Sequence, residues 1–295
     1  MKILLTGGSG FLGSALARHL QEQGHEVALL LRPASSLARL GGRQFDISRG
    51  TDDAELQGFV DRVQPQALIH TACTYGRQGE TLLQLTDTNL RLGLGLLQAL
   101  QALPQLEVPR LFLNTGTALS AEVSPYALSK RQFAQWGRQQ ALAAPQRLRF
   151  VNIELEHMYG PGDDASKFAT HVLHACCRHE PALKLTAGEQ RRDFIYIEDV
   201  VAGFATLLER SVELGSAAHV PLGSGVAPTV REFVQTVHRL CCSRTELQFG
   251  ALPYRAGEAM HCQADLGLMQ RLGWTPRWSL EQGLQHTINL EFPQT

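Results

Sequence analysis

With 295 residues, 44% of them hydrophobic and 19% charged, the chain can bury a substantial core, as one large α/β domain or as two smaller ones. A net charge near -1, with both signs interspersed, excludes the basic stripe of a nucleic-acid binder and the polybasic patch of a membrane-attached protein; a small-molecule ligand is expected. No apolar run reaches the roughly 18 residues of a membrane span, and a strand-like run starts at residue 2, so the expectation is a cytoplasmic chain without a signal peptide.

KILLT at 2–6 reads as a strand, and TGGSGFLGS at 6–14 joins it to a helix over 11–23 with Phe11, Leu12, Ala15, Leu16 and Leu20 on helical spacing. Gly7, Gly8, Gly10 and Gly13 let the backbone turn tightly and approach a pyrophosphate, whose charge is favoured by the free N–H groups and dipole at a helix start. Strand, glycine turn and amphipathic helix together are the context of a dinucleotide site, with Gly7, Gly10, Phe11, Leu12 and Gly13 as its contacts. The second strand, EVALLL, ends in Arg32, where an NAD site would offer a carboxylate to the ribose hydroxyls. An arginine suits the 2′-phosphate of NADP instead, with Ser35 and Ser36 in support, so NADPH is the expected cofactor and NAD the alternative.

QFDI follows as a third strand, with Asp46 and Ile47 placed to flank the adenine, although Asp46 suits a helix or turn cap equally well. A helix over 52–63 leads to the strand ALIHT, whose Thr71, with Ala72 beyond it, would line the cofactor groove, while His70 reads as a core histidine. The spacing then predicts a helix over 80–103, the strand RLFLNT, a helix over 125–143 and the strand LRFVNI. Gly24 follows the first helix, Pro65 precedes a strand, and Pro104 and Pro145 end helices, where a missing N–H and a ring clash forbid continuation.

That alternation predicts an α/β chain with a Rossmann-type doubly wound parallel sheet. Past residue 154 the rhythm breaks: YGPGDD at 159–164, a helix near 166–179, short strands around 183–186 and 192–197, and helices near 229–241, 264–272 and 279–290. These predict a smaller mixed C-terminal substrate lobe of residues 155–191 and 225–295, with 1–154 and 192–224 forming the dinucleotide-binding domain. Six cysteines, at 73, 176, 177, 241, 242 and 262, include two adjacent pairs and no CxxC, which argues for reduced thiols rather than a disulfide framework or zinc ribbon. His171, His174, Cys176, Cys177 and His179 have the look of metal ligands, but they fall on one predicted helix with no matching cluster, and no metal site is expected.

SPYALSK at 124–130 sets Tyr126 and Lys130 four apart behind a plausible Ser–Pro helix opening, so both project from one helical face. An ammonium beside a phenol stabilises phenolate and lowers its pKa from about 10 toward working pH, which makes the phenol a usable acid or base. TGGSGFLGS, NTG at 114–116, YALSK, YGPGD at 159–163 and RRDFIYIEDV at 191–200 occur in the order and spacing of extended short-chain dehydrogenases/reductases, which the chain resembles over nearly its whole length, including LPYRAGE at 252–258. Within that superfamily, NTGTALSAEVSPYALSK and ELEHMYGPGDD look most like the abequose and paratose synthases, which reduce a CDP-4-keto-3,6-dideoxyhexose with NADPH.

The resemblance implies Tyr126 as proton donor to the ketone oxygen and Lys130 as the group that holds the nicotinamide ribose and tunes the tyrosine. A hydroxyl should polarise the same oxygen. Thr115 and Thr117 compete for that role; they share a face if the strand continues, yet would lie about 7 Å apart. The signature of the resembling reductases ends at Thr117, whereas the spacing common in the wider superfamily favours Thr115. The resemblance also implies that Arg192 and Arg255 clamp the sugar-nucleotide diphosphate, a task suited to the planar guanidinium fork, and that Lys167 and Phe168 meet the nucleotide. His157 stands where many relatives have asparagine.

The resembling 4,6-dehydratases carry an Asp-Glu pair after the catalytic threonine; here Gly116 and Thr117 follow Thr115, which disfavours dehydration. A 4-epimerase with retained NAD and a non-catalytic NADP-binding sensor are the competing readings, and the sensor is disfavoured by the Tyr126/Lys130 pair that such relatives typically lack. The 80–103 helix carries Leu82, Leu83, Leu85, Leu90, Leu92, Leu94, Leu96, Leu97 and Leu100, apolar around more of its circumference than one sheet face covers. The resemblance therefore implies a homodimer in which this helix pairs with the Tyr126 helix.

Overall fold

The structure is a computed structural model that describes residues 1–50, 52–255 and 257–293. The strands are β1 (Lys2–Thr6), β2 (Glu26–Leu30), β3 (Asp46–Ser48), β4 (Ala67–His70), β5 (Arg110–Thr115), β6 (Leu148–Leu155), β7 (His157–Tyr159), β8 (Ala182–Leu185), β9 (Phe194–Tyr196), β10 (Ala217–Leu222) and β11 (Glu246–Phe249). The helices are α1 (Phe11–Glu22), α2 (Asp53–Val63), α3 (Leu82–Thr86), α4 (Leu92–Ala102), α5 (Pro125–Ala143), α6 (Phe168–Cys177), α7 (Ile197–Glu209), α8 (Val230–Leu240), α9 (Gly267–Arg271) and α10 (Leu280–Glu291).

Seven strands form one sheet in the order β10-β6-β5-β4-β1-β2-β3, and the pairs from β6 through to β3 are parallel. The near-continuous apolar runs of β1, β4 and β5 are those of strands covered on both faces. Leu4, Leu68, Phe112 and Phe150 of the sheet pack with Phe59 and Val60 of α2, Leu96 and Leu100 of α4, and Phe133 of α5 in a single core. Local chemistry sets the helix starts: Asp52 accepts from the Glu55 N–H at 2.8 Å ahead of α2, and Ser124 accepts from the Ala127 N–H at 3.2 Å ahead of α5, whose first residue is Pro125.

The chain falls into two compact units, one of Met1–Glu154 with Val201–Val220, the other of Leu155–Val200 with the residues from Pro221 onward. Residues 192–200 and 221–224, expected in the dinucleotide-binding domain, thus fall in the second unit. In that unit β7 pairs with β9, and β8 with β11, each pair parallel.

Three departures from the sequence expectation have physical causes. The 80–103 helix is interrupted: between α3 and α4, Asp87–Arg91 is π-helical, and the wider turn directs Asn89 fully inward. The strands β7, β10 and β11 and the helix α7 were not anticipated; α7 follows β9 with no spacer, so no turn signal separates strand from helix. Finally, Cys177 and Cys241 form a disulfide with an S–S distance of 2.10 Å, against the expectation of reduced thiols throughout. Sixty-four residues apart, they meet because α6 and α8 lie side by side, Phe168 near Phe233 toward their starts and the two adjacent cysteine pairs at their ends.

The other residues of the metal-like run are dispersed. His174 Nε2 meets Glu291 Oε2 at 2.9 Å, the buried Cys176 thiol is pushed up to about 11 by desolvation, and His179 lies past the end of α6 at a φ of +54°. Among the described residues no three His, Cys, Asp or Glu gather as metal ligands, and no helix is long and apolar enough to cross a membrane.

Candidate active site

The turn from β1 to α1 is built for close approach. Gly7 has a φ of +70°, and a Cβ there would sit 2.7 Å from both Ala72 N and Thr71 Oγ1; one on Gly13 would fall 2.1 Å from Gly7 O. Thr71 and Ala72 close against this turn, Thr71 Oγ1 donating to Thr6 O at 2.7 Å and the Ala72 N–H to Thr6 Oγ1 at 3.2 Å. Gly10 offers no side chain to cap α1, and the first turn carries no acidic residue, which leaves the helix start suited to a phosphate.

Arg32 is exposed just beyond β2, and the loop that carries it is pinned from Arg49, whose Nη1 donates to Arg32 O at 3.1 Å and Pro33 O at 2.7 Å. Asp46 is the first residue of β3, and its carboxylate is engaged by Arg62 of α2 through two bonds of 2.6 and 2.9 Å. Its side chain is thus a partner of α2, and Ile47, level with Leu29, is the nearer of the two to the carboxyl end of the sheet.

Tyr126 lies in the first turn of α5, with Lys130 one turn on. Lys130 is 2% exposed, and its Nζ has no hydrogen-bond partner among the described residues. A buried ammonium without a partner is costly, and ribose hydroxyls are ligands that would satisfy it. Burial lowers the Lys130 pKa. Burial also pushes the Tyr126 phenol above the ordinary tyrosine range, as does the Cys73 thiol, while a hydrogen bond with Thr117, the charge of Arg77 and a hydrogen bond with Tyr75 pull it back. The Arg77 charge thus favours the phenolate from outside the helix that carries Tyr126 and Lys130.

β5 ends at Thr115, and the Gly116 N–H carries the ladder one step further by donating to Ile153 O at 2.7 Å. The Thr117 hydroxyl accepts from the Leu119 N–H at 3.2 Å and acts on Tyr126 to lower its pKa, whereas Thr115 Oγ1 is buried with no partner among the described residues. His70 is a core residue: its Nδ1 meets Thr6 Oγ1 at 2.8 Å, its ring lies edge-on to Phe112 and Phe133, and burial holds its pKa well below the usual range.

In the second unit, Arg192 is 7% exposed and its guanidinium pairs with Glu258 while Nη1 donates to Arg191 O at 2.8 Å. The Glu258 N–H closes a turn onto Arg255 O at 3.1 Å, which brings the exposed Arg255 into the same loop; Ala256 between them lies outside the described residues. Lys167 stands at the N-cap of α6 with its Nζ 2.8 Å from Asp163 Oδ1, and Phe168, 40% exposed, opens the helix. His157 sits in β7 with its ring 5.9 Å from that of Phe194.

A family model described as the NAD dependent epimerase/dehydratase family matches residues 3–223. The chain belongs to that family. It is 28% identical to a CDP-abequose synthase of Salmonella typhimurium over 304 residues, covering 97% of each chain, and 26% identical to a CDP-abequose synthase of Salmonella muenchen, covering 98% of each. Among solved structures, a UDP-glucose 4-epimerase of Thermotoga maritima with UDP-glucose superposes with a TM-score of 0.85 and one of Thermus thermophilus in complex with NAD with 0.84, each at 22% identity over 98% of both chains. That likeness establishes a shared fold, the Rossmann-type sheet.

Reading this epimerase/dehydratase-family chain by motif misses Asn89, Tyr75, Arg77 and Glu258. Asn89 Oδ1 accepts from the Thr74 N–H at 2.8 Å and its Nδ2 donates to Thr74 O at 2.9 Å, which fixes the strand exit beside Tyr126. Only the π turn turns it inward, and no periodicity announces a π turn. Glu258 stands within LPYRAGE, where the resemblance gives a task to Arg255 alone.

Proposed function

We propose that the chain uses NADPH to reduce the 4-keto group of a nucleotide-diphosphate 4-keto-deoxyhexose, CDP-linked by preference. The observation that carries this reading is Tyr126 in the first turn of α5, one turn from the buried Lys130, whose Nζ has no hydrogen-bond partner among the described residues. A phenol, a polarising hydroxyl and an ammonium suited to ribose hydroxyls are the groups a carbonyl reduction requires. The CDP preference draws on the two CDP-abequose synthases, which match over nearly the whole chain.

The bound cofactor supplies hydride. Gly7, Gly10, Phe11, Leu12, Gly13, Ile47, Thr71 and Ala72 would hold it, and Arg32 would receive the 2′-phosphate. Tyr126 gives its phenolic proton to the carbonyl oxygen, and Thr117 donates a hydrogen bond to the same oxygen. Lys130 orients the ribose. Arg192 and Arg255 neutralise the sugar-nucleotide diphosphate, with Lys167 and Phe168 toward the nucleotide. Thr117 is preferred to Thr115 because it is the threonine that acts on the phenol and favours its ionisation.

The test is a panel of CDP-, dTDP-, GDP- and UDP-4-keto-sugars with NADPH and NADH, followed by nicotinamide absorbance. Stoichiometric NADPH oxidation with a CDP-linked 4-keto sugar is expected. Interconversion of two sugars without net oxidation would replace this reading by a 4-epimerase, and tight cofactor binding without turnover by a sensor.

A homodimer completes the proposal. Leu82 and Leu83 of α3 are 66% and 78% exposed, and Leu128, Trp136 and Leu142 of α5 are 45%, 51% and 53% exposed, which is apolar surface that a second copy would cover. Light scattering at micromolar concentration should give twice the monomer mass; a monomer there refutes it.

A further inference from the structure

The segment ACTYGRQGE at 72–80 is more ordered than a connecting loop requires, and the proposed chemistry uses only its first residue. Asn89 holds both backbone groups of Thr74. Thr74 Oγ1 donates to Glu80 Oε1 at 2.5 Å, and Glu80 Oε2 accepts from the Gln78 N–H at 2.8 Å, so one carboxylate ties the two ends of the loop together. Gly76 and Gly79, with φ of +70° and +84°, allow the tight path between them.

This frame presents two side chains to the catalytic phenol. The Tyr75 ring lies 4.7 Å from the Tyr126 ring at an interplanar angle of 39°, and the Arg77 guanidinium lies 5.1 Å from the centre of the Tyr75 ring. Two phenols and a guanidinium therefore form one stack that ends on Tyr126.

We propose that Tyr75, with Arg77 behind it, is a positioning residue for Tyr126: its hydroxyl hydrogen-bonds the Tyr126 oxygen and stabilises the phenolate left after proton transfer. The inference rests on the reading of Tyr126 as the proton donor. A buried phenolate needs such support, because burial alone favours the protonated phenol. The groups acting on Tyr126 are the Cys73 thiol beyond β4, Tyr75 and Arg77 of the loop, and Thr117 beyond β5, with Lys130 one turn on along its own helix. Of these, Cys73 opposes ionisation, while Thr117, Arg77 and Tyr75 favour it, so two of the three favourable groups come from this loop.

Tyr75→Phe keeps the ring and removes only the hydroxyl. In the alcohol-oxidation direction the reaction needs Tyr126 deprotonated, so activity rises with pH as the phenol ionises. Tyr75→Phe is expected to move that limb up by about one pH unit and to lower kcat about tenfold near neutrality, with the KM for the nucleotide sugar unchanged. Arg77→Gln should move the limb the same way, and Arg77→Lys should restore part of it. A lowered kcat with an unmoved limb in both variants would show a merely structural loop and overturn the proposal.

A second measurement needs no turnover. In NADP-loaded full-length protein carrying 13C at tyrosine Cζ, the Tyr126 signal is the one absent from Tyr126→Phe, and it should shift in Tyr75→Phe. A stationary signal overturns the proposal; a shifted signal in an enzyme that reduces no 4-keto sugar would retire the reductase reading and leave the Tyr75–Tyr126 pairing standing.

Discussion

Arg192 and Glu258 form an ion pair within the second unit, and at 9% and 22% side-chain exposure both are largely withdrawn from solvent. A guanidinium proposed to bind a diphosphate is thus already neutralised, and an incoming anion has to compete with the carboxylate. Glu258→Gln should lower the Kd for CDP a few-fold by removing that competitor, as read by calorimetry. Arg192→Lys, which keeps the charge but loses the fork, should raise the nucleotide-sugar KM about tenfold, or ~1.4 kcal/mol, with little change in kcat. Weaker CDP binding in Glu258→Gln would show instead that the carboxylate itself holds the ligand.

The glycine cradle gives a sharper expectation. A methyl group on Gly13 would penetrate Gly7 O, and since that neighbour is backbone it has no rotamer by which to retreat. Gly13→Ala should abolish NADPH binding, measured by nicotinamide fluorescence, and should lower the melting temperature as well. Gly24, where an added Cβ meets nothing within 4 Å, is the control for the bare loss of a glycine; its φ of +80° makes Gly24→Ala mildly destabilising without affecting the cofactor.

Tyr126→Phe should bind NADPH as the parent does and lose about 10²- to 10⁴-fold in turnover, the usual worth of a general acid. Thr117→Val should lose turnover too, while Thr115→Val should lose far less. Equal losses in the two threonine variants would contradict the preference for Thr117.

The sheet, the glycine cradle and the Tyr126–Lys130 helix were legible because each rests on local rules: alternation of strand and helix, glycines that no side chain can replace, and a Ser–Pro helix start. What escaped depends on tertiary placement. Nothing within DTNLR says that the helix widens at Asn89, and a tyrosine and an arginine two apart in TYGRQ look like an ordinary exposed loop until the ring of Tyr126 is placed beside them. Four-residue spacing puts Lys130 one turn from Tyr126 on α5, yet it does not announce Arg77, whose charge acts on the phenol from the loop after β4. The Cys177–Cys241 pairing was likewise invisible, because its geometry comes from the packing of α6 on α8 rather than from spacing.

That disulfide closes a segment spanning a sequence separation of 64 residues, and such a constraint on the unfolded chain is worth about 2–4 kcal/mol. Cys241→Ala should therefore melt several degrees lower than the parent protein under non-reducing conditions, and reductant should bring the two together. Identical melting without reductant would mean that the bond contributes nothing.

His70 should make the first unit sensitive to acid. Burial, with the Lys130 charge adding to it, holds the imidazole neutral well below its ordinary pKa, while in the unfolded chain it titrates near its ordinary value of about 6.5. Between those two values the unfolded state binds a proton that the folded state does not. Stability is thus fully present above pH ~6.5 and falls as the pH drops below it, by up to about 1.4 kcal/mol per unit from this group. His70→Asn cannot take up that proton in either state. Its denaturation free energy should therefore be lower than the parent's at pH 7, because the bond to Thr6 is altered and the ring contacts with Phe112 and Phe133 are lost, yet should decline less steeply between pH 6.5 and 5. Parallel slopes in urea titrations across that window would place the acid sensitivity in other groups.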